Sequence, residues 1–368
     1  MKLIWIGPVL DPSGYGSCAR SYITALNMAG HDIKVQPIQY FMGNPIKYMD
    51  RDTYYLLVEL ANKKIGMDYE YVCVEHKTPG VFTKTKYKKN IGYTVWETDH
   101  IPEKFVNNVL LKDELWTASL YSKQAFINSG INIPIYIVPH IIDIDKFKPI
   151  SLDDREESKP IVFMFNGEFT VRKGVDILIR AFSKAFSATD NVVLLLKTYL
   201  LNNKDYGDKY IISAINRFVD GKINPPKIKI LTRLISDQDL PKLYKNVDVF
   251  VSATRGEGFG LPIAEAMASG NLVIVPNKGG HIDYCDSHNS ILIDSTVETI
   301  PEGRLEDDRL IYEGQRWIES DEPHLISILR SVYINLNQYK YLRYGAVETI
   351  KEKFNKFKII QFIERRLE

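Results

Sequence analysis

Cysteine is scarce in this sequence, and long apolar runs are missing. The 368 residues include three cysteines, Cys18, Cys73 and Cys285, and no C-x-x-C spacing. An odd and scattered set of this kind argues against a disulfide framework and against a structural zinc site. No stretch approaches ~18 uninterrupted apolar residues, so we expect no membrane span. Since the N-terminal apolar run is also short and lacks a cleavage region, we expect a cytoplasmic location.

Net charge is small as well. The chain has 47 Lys and Arg against 46 Asp and Glu, which gives a formal charge of +1. No overall field therefore attracts nucleic acid or a membrane surface. One segment departs from this balance, because Lys77–Lys89 interleaves five lysines with Phe82 and Tyr87. Such a stretch either binds a polyanion, including nucleic acid or an anionic lipid surface, or is a solvated loop.

Strand-like and helix-like segments alternate along most of the chain. Leu3–Ile6 has the pattern of a buried strand, the loop 7–16 follows, and Ser17–Ala29 has helical spacing. The alternation stops in the polar segment Asp143–Pro160 and starts again at Ile161–Phe165. This pattern predicts an α/β fold with two doubly wound, Rossmann-like domains. We place them at residues 1–150 and 151–345, with a C-terminal amphipathic helix within 346–368 that returns to the first domain.

The most informative segment runs from Arg255 to Gly270, RGEGFGLPIAEAMASG. It follows a predicted strand, turns through three glycines and enters a helix at about Pro262, a residue suited to a first helical turn. The start of a helix offers unpaired N–H groups and a positive dipole end, which attract phosphate or sugar oxygens. Glu257 precedes the turn and Glu265 lies inside the helix, so we expect the two carboxylates to face different parts of one ligand.

This segment resembles the E-x(7)-E motif of the large family of retaining GT-B glycosyltransferases that includes sucrose synthases and many mannosyl- and glucosyltransferases. The resemblance implies a nucleoside-diphosphate-sugar donor bound between the two domains. It implies that Glu257 acts catalytically by binding hydroxyls of the donor sugar, and that Glu265 binds the ribose. Further donor contacts are implied for the residues of the turn, namely Gly258, Phe259, Gly260 and Leu261.

Two other segments of the predicted second domain carry the same resemblance. In the segment 165–174, Lys173 stands where the family has the lysine that contacts the donor phosphates. Where the family usually has an arginine, this chain has Glu168, and a carboxylate would repel a diphosphate. Arg172 is our candidate for the missing positive charge, although a solvated surface arginine is an equal alternative. The segment 230–236 resembles the base-binding loop, which implies contacts from Arg233 and Leu234.

In the predicted first domain, the loop Gly14–Gly16 follows the first strand. In the family this loop reaches the donor phosphates, so we expect a backbone contact from Gly16. The loop also fits the G-x-G-x-x-A dinucleotide fingerprint, but the acidic residue expected after the second strand is missing, which argues against NAD. Glu97 follows another strand and either contacts an acceptor hydroxyl or caps the next helix. His140 has no metal-ligand pattern around it and is more simply structural.

Together these features predict a retaining hexosyltransferase that uses a UDP- or GDP-linked donor. No D-x-D motif lies at a suitable strand end, so we expect no metal and no separate cofactor. The default acceptor is a saccharide or glycoconjugate, with a polyanion such as modified DNA as the alternative. A non-catalytic nucleotide-sugar-binding protein and an epimerase of the same architecture stay open. The sequence does not predict the oligomeric state.

Overall fold

A computed structural model describes residues 1–40, 43–66, 70–149, 158–200, 207–219, 221–301 and 311–367. The chain forms two compact units. The first unit comprises Met1–Asp143, Ile235–Leu240 and Lys353–Glu368, and the second comprises Ile144–Leu234 and Pro241–Glu352. The predicted domain boundary at residues 150 and 151, with most of the acidic part of the predicted linker, lies outside the described residues.

The first unit is built on a sheet in which every pair of neighbouring strands is parallel. Its strands are β1 (Lys2–Gly7), β2 (Asp32–Pro37), β3 (Val72–His76), β4 (Lys89–Tyr93), β5 (Glu114–Thr117) and β6 (Ile135–Ile137). They lie in the order β2-β1-β3-β4-β5-β6. The helices that connect them are α1 (Gly14–Met28), α2 (Arg51–Asn62), α3 (Glu103–Val109) and α4 (Leu120–Asn128).

Helix α1 begins three residues earlier than the sequence predicted. The side chain of Ser13 accepts a hydrogen bond from the backbone N–H of Gly16, so it caps the helix, which starts at Gly14. The pattern of apolar residues indicated Ser17 as the start, because the first turn of α1 contains small residues that carry no periodic signal. Gly16 therefore lies within the helix and not in the loop before it.

The second unit repeats the plan with a second parallel sheet in the order β12-β11-β10-β7-β8-β9. Its strands are β7 (Ile161–Glu168), β8 (Val192–Tyr199), β9 (Lys227–Leu231), β10 (Val249–Val251), β11 (Leu272–Pro276) and β12 (Ile291–Ile293). Two further strands, β13 (Ser295–Thr299) and β14 (Arg316–Ser320), pair antiparallel; the sequence did not predict them. The helices are α5 (Val175–Ala185), α6 (Gly207–Val219), α7 (Leu240–Tyr244), α8 (Leu261–Ala268), α9 (Glu322–Asn335) and α10 (Lys340–Lys353).

Two doubly wound parallel sheets confirm the predicted fold class. Helix α5 shows how the core of the second unit forms, since Ile177, Leu178 and Phe182 recur at helical spacing and are buried in the main apolar cluster. Phe182 contacts Phe163 of β7 with ring centroids 5.6 Å apart. Truncating an aromatic side chain in such a position typically costs about 3–5 kcal/mol of unfolding free energy.

The chain ends in helix α11 (Lys356–Leu367), which belongs to the first unit. Its apolar face, Ile359, Ile360 and Ile363, is buried. Glu364 lies 2.9 Å from the ring nitrogen Nε2 of His31, which adds a polar contact between α11 and the segment before β2. The helix lies within the predicted range 346–368.

Strand order determines where each unit can bind a ligand. In the second unit, β8 and β9 lie on one side of β7, while β10, β11 and β12 lie on the other. The loops after β7 and β10 therefore diverge at a switch point, and ligands of open α/β sheets bind at the carboxyl ends of such strands. In the first unit the corresponding switch point lies between β1 and β3.

Candidate active site

Lys173 and Glu257 meet at the switch point of the second unit. Lys173 ends a short turn after β7, Val171–Lys173, and Glu257 lies in the loop that follows β10. The ammonium Nζ of Lys173 is 2.5 Å from Oε1 of Glu257, although 84 residues separate them in sequence. Both side chains are mostly shielded from water. The structure thus brings together the two residues predicted to act on the phosphates and on the sugar.

The charge of Glu257 is set by its neighbours. Burial opposes ionisation of this carboxyl, but the cations of Lys173 and Arg172, with the hydrogen bond from Lys173, hold its pKa below the usual range. Glu257 is therefore an ionised hydrogen-bond acceptor at neutral pH. An ionised carboxylate accepts hydrogen bonds from hydroxyl groups, as a sugar-binding role requires.

A glycine makes the close approach of these two loops feasible. Gly174 has φ +65°, in the left-handed region that favours glycine, and a Cβ at this position would overlap the carbonyl oxygen of Ala253. The glycine of the predicted phosphate-binding segment is thus required by geometry. It lets the Lys173 turn lie directly against the chain that leaves β10.

Arg172 points to the same loop. Its Nη1 donates to the carbonyl oxygen of Gly256 at 2.7 Å, and its charge contributes to the lowered pKa of Glu257. The alternative interpretation of Arg172 as a solvated surface side chain is therefore wrong. Glu168, which replaces the arginine usual in the family, ends β7. Whether Arg172 compensates for that replacement in phosphate binding stays a prediction.

Tyr284 fixes the backbone of the glycine turn. The hydroxyl of Tyr284 donates to the carbonyl oxygens of Phe259 and Gly260 at 2.8 and 2.9 Å. Phe259 is buried and packs on the ring of Tyr284, so only its backbone can reach a ligand. Helix α8 starts at Leu261, and within the described chain no side chain caps its N-terminus. That end of the helix has the character of an anion site.

Glu265 is fixed by a tyrosine to which the sequence assigned no role. The hydroxyl of the fully buried Tyr244 lies 3.0 Å from Oε2 of Glu265, and Asn166 donates to that hydroxyl at 3.0 Å. Tyr244 therefore connects β7, α7 and α8 at the second carboxylate of the motif. Its position in the helix after the predicted base-binding loop was the available signal.

Other predicted donor contacts of the second unit remain predictions. Gly258 lies close to Gly280, whose N–H donates to the carbonyl oxygen of Glu257 at 2.8 Å. Leu261 occupies the first turn of α8 and is half-buried. Arg233 and Leu234 follow β9, and both side chains are exposed.

The first unit has its own polar cluster at the ends of β1, β3 and β4. Tyr15, on the first turn of α1, lies with its ring centroid 5.3 Å from that of His76 at the end of β3, and its hydroxyl lies 2.9 Å from Oγ1 of Thr94. Burial, followed by the nearby charge of Glu97, raises the pKa of Tyr15. Glu97 thus lies at the carboxyl edge of the sheet, and His76 is a neighbour that the sequence analysis missed.

Gly16 has a structural explanation in the packing of α1 against the loop that precedes it. A Cβ here would overlap the carbonyl oxygen of Asp11 and lie 2.7 Å from that of Pro8, so the close approach of α1 to this loop requires glycine. Its N–H donates to Ser13. The backbone contact to a donor that we predicted for Gly16 stays a prediction.

The distance between the side chains of His140 and Cys18 resembles that in a catalytic dyad, but their protonation states do not. Cys18 Sγ lies 2.8 Å from Nδ1 of His140, and the hydroxyl of Tyr93 lies 2.8 Å from the same nitrogen. Burial raises the pKa of the thiol and lowers that of the imidazole to about 3, so both are neutral at pH 7. A reactive thiolate needs the opposite shift. The cluster is a set of neutral hydrogen bonds in the core, which agrees with a structural role for His140.

The basic stretch Lys77–Lys89 is partly occupied by ion pairs. Lys77 lies 3.3 Å from the buried Glu75, and Lys89 lies 2.9 Å from the buried Glu114. Lys112 also pairs with Glu75, at 2.8 Å. A polyanionic partner through this stretch stays a prediction, with fewer lysines available than the sequence suggested.

The described residues contain neither a metal-binding cluster nor a membrane-spanning helix. No group of three or more His, Cys, Asp and Glu side chains in that part of the chain could hold a metal ion. Among the same residues, no helix is both long and apolar enough to cross a bilayer.

Residues 160–302, most of which belong to the second unit, match the family model of group 1 glycosyl transferases. Mannosylfructose-phosphate synthase of Agrobacterium fabrum is 29% identical over 154 residues, which are 40% of this chain and 33% of that protein. A putative glycosyltransferase of a Sulfolobus islandicus filamentous virus is 26% identical over 218 residues, which are 56% of this chain and 54% of the relative. The matches thus span between a third and about half of the length of these relatives.

Solved structures resemble this chain over its whole length. HepE of Anabaena, solved with UDP and glucose, has a TM-score of 0.68 and 16% identity, with 100% of this chain and 99% of that chain covered. Sucrose-phosphate synthase of Thermosynechococcus elongatus also has a TM-score of 0.68, at 15% identity and the same coverage. At this identity the likeness concerns the fold. The chain is therefore similar to the group 1 glycosyltransferases in its second unit, and its fold is that of solved GT-B glycosyltransferases.

Proposed function

We propose that this protein is a retaining glycosyltransferase that transfers a hexose from a nucleoside-diphosphate sugar to a hydroxyl acceptor without a metal ion. One observation carries the proposal, namely the pairing of Lys173 with Glu257 at the carboxyl ends of β7 and β10. The family match covers the same loops, since it extends over residues 160–302. UDP is the first donor base to test, because HepE, which shares the fold, was solved with UDP and glucose.

The chemical task is to break the bond between the anomeric carbon and the donor phosphate. Negative charge develops on the leaving diphosphate, and the cation of Lys173 and the N-terminus of α8 are suited to stabilise it. Two fixed positive groups supply the stabilisation that a divalent cation provides elsewhere. This is the basis for proposing a metal-independent reaction.

Glu257 has the properties needed to hold the donor sugar. Its pKa is held low, so its carboxylate accepts hydrogen bonds from sugar hydroxyls as the donor displaces Lys173 toward the phosphates. We assign it no covalent role. The acceptor hydroxyl attacks the face that the diphosphate leaves, and its proton passes to a phosphate oxygen, so the configuration of the sugar is retained. Glu265, held by Tyr244, is the candidate ligand of the ribose.

The first unit is the candidate acceptor side. Tyr15, His76 and Glu97 form a partly polar cluster at its own switch point. Hydroxyl, imidazole and carboxylate groups beside aromatic rings suit a saccharide, which offers both hydroxyls and apolar C–H faces. This chemistry supports a saccharide or glycoconjugate acceptor.

The test is a transfer assay with UDP- and GDP-linked hexoses and a panel of saccharide acceptors, with and without EDTA. NMR of the first product reports the anomeric configuration, and analysis without acceptor reveals hydrolysis or epimerisation. We expect Glu257→Ala and Lys173→Ala to abolish transfer while the circular dichroism spectrum is unchanged. Wild-type turnover in either variant would defeat the site assignment. An inverted product or loss of activity in EDTA would contradict the retaining or the metal-independent part, and nucleotide binding without turnover would indicate a non-catalytic binder.

A further inference from the structure

The buried guanidinium of Arg255 joins the two loops that carry Lys173 and Glu257. Arg255 follows β10, directly before the glycine turn, and its side chain is 0% exposed. The sequence analysis included it in the motif but gave it no role. A fully buried cation is stable only where its charge and its N–H groups are matched.

Every N–H group of this guanidinium has a partner. Nε and Nη2 donate to the two carboxylate oxygens of Glu319 at 2.7 and 2.8 Å. Nη1 and Nη2 donate to the two oxygens of Asp176 at 2.7 and 2.9 Å. Nη1 also donates to the carbonyl oxygen of Val171 at 2.5 Å. An arginine has five N–H donors in a fixed planar fork, so this site uses all of them.

The partners are distant in sequence and converge on the Lys173 turn. Val171 begins that turn, Asp176 lies in the first turn of α5, and Glu319 lies on β14. The ring of Trp317, also on β14, lies under the guanidinium with its centroid 5.3 Å away. Arg255 therefore fixes the turn after β7 from two sides.

Backbone hydrogen bonds complete the connection. The N–H of Arg255 donates to the carbonyl oxygen of Arg172 at 2.7 Å, and the N–H of Ile318 donates to that of Arg255 at 2.8 Å. Arg172 in turn donates to Gly256. Hydrogen bonds thus connect the backbone next to Lys173 with the backbone next to Arg255.

We propose that Arg255 is a positioning residue that holds Lys173 opposite Glu257. The proposal rests on the function proposed above, because the group being positioned is the cation assigned to the leaving diphosphate. Arg255 itself acts through Lys173 and not on the donor. Lysine cannot replace it, because an ammonium has three donors and cannot bind two carboxylates in bidentate fashion.

The test compares Arg255→Lys with Arg180→Lys. Arg180 pairs with the same Asp176, at 3.1 Å, and with Glu322, so it is a matched control on the far side of that carboxylate. Acetylation of Lys173, measured by peptide mass spectrometry against the exposed Lys184, reports the position of the turn without any ligand. We expect Lys173 labelling to rise several-fold in Arg255→Lys and to stay at the wild-type level in Arg180→Lys. Unchanged labelling in a folded Arg255→Lys variant would overturn the proposal.

A double-mutant cycle separates positioning from simple loss of stability. Arg255→Lys should lower kcat by roughly tenfold or more, as a small misplacement of a catalytic group does. Because Lys173 variants should lack turnover, the cycle is measured in the affinity for UDP by calorimetry. There Arg255→Lys should add no loss to that of Lys173→Met, since Arg255 acts only through Lys173. Losses that multiply would refute the mechanism. If Arg255→Lys does not fold, Glu319→Gln replaces it, because this variant keeps the arginine but weakens one of its two carboxylate pairs. The labelling of Lys173 and the double-mutant cycle are then measured in Glu319→Gln, and the same outcomes support or refute the proposal.

Failure of the proposed function gives a different result. A wild-type protein that binds neither UDP nor GDP by calorimetry and transfers no sugar would refute the glycosyltransferase proposal. The labelling comparison would still decide whether Arg255 positions Lys173.

Discussion

The hydroxyl of Tyr244 donates to Oε2 of Glu265 at 3.0 Å, and both side chains are buried. Glu265 lies on α8 and Tyr244 on α7, so the bond fixes the second motif carboxylate from a neighbouring helix. Burial, reinforced by the charge of Glu265, raises the pKa of Tyr244, so the phenol stays protonated and keeps donating. The two oxygens of a carboxylate have about four lone-pair sites, and the bond from Tyr244 uses one of them.

Tyr244→Phe should therefore weaken donor binding more than it slows the chemical step. Without the phenol hydroxyl, Glu265 loses the hydrogen bond from Tyr244, and Asn166 loses its acceptor. We expect KM for the nucleotide sugar to rise about tenfold, which corresponds to about 1.4 kcal/mol, with kcat within a factor of three. Steady-state kinetics measures this. Tyr333→Phe, on α9, is a control that should leave KM unchanged. A fall in kcat at constant KM would contradict this role for Tyr244.

Gly174→Ala should displace the Lys173 turn. The new Cβ would overlap the carbonyl oxygen of Ala253, and φ +65° adds backbone strain of about 1–2 kcal/mol. Gly314→Ala is the matched control, because it has φ +74° but open space around the Cβ. In urea unfolding, we expect the backbone strain to lower the free energy of unfolding of both variants. Only Gly174→Ala should lose activity by more than tenfold. Equal effects of the two variants would show that the overlap is unimportant.

His140 should make the protein less stable as the pH falls from about 6.5 toward 3. Burial lowers the pKa of His140 to about 3, while an unfolded histidine titrates near 6.5. Between these pH values the imidazole of His140 binds a proton in the unfolded state but not in the folded state, so acid favours unfolding. In His140→Asn, we expect the melting temperature to fall less steeply between pH 7 and pH 4 than in the wild type. His288→Asn, at a side chain 91% exposed, should keep the wild-type slope. Identical slopes for all three proteins would contradict the prediction.

Lys112→Met should strongly destabilise the first unit. Lys112 is 0% and Glu75 is 1% exposed, and the ammonium also donates to the carbonyl oxygen of Thr83 at 2.6 Å. Removing Lys112 leaves the buried carboxylate of Glu75 without its nearest cation, with Lys77 farther away at 3.3 Å, and breaking a buried pair costs about 3–5 kcal/mol. Lys63→Met breaks a pair with Asp32 that is well exposed, so its cost should stay below about 1 kcal/mol. Urea unfolding checks both values, and equal losses would disprove the distinction.

The sequence by itself determined the local elements of this fold. Apolar runs at strand and helix spacing predicted two doubly wound sheets, because those periods follow from backbone geometry alone. The spacing of Glu257, the glycine turn and Glu265 likewise defined a strand, a loop and a helix N-terminus. What the sequence missed locally, such as the start of α1 at Gly14, involves small residues without a periodic signal.

Tertiary structure decided which side chains meet. Lys173 finds Glu257 across 84 residues because β10 lies beside β7 in the sheet, and no local pattern contains that order. Two of the five side-chain hydrogen bonds of Arg255 depend further on β14, a strand that the sequence did not predict, because Glu319 lies on it. Side-chain contacts of this kind follow from strand order, register and the direction of each Cβ. They exist only after the chain has folded, which is why the sequence indicated Lys173 and Glu257 in two separate segments but gave no role to Arg255, which joins their loops.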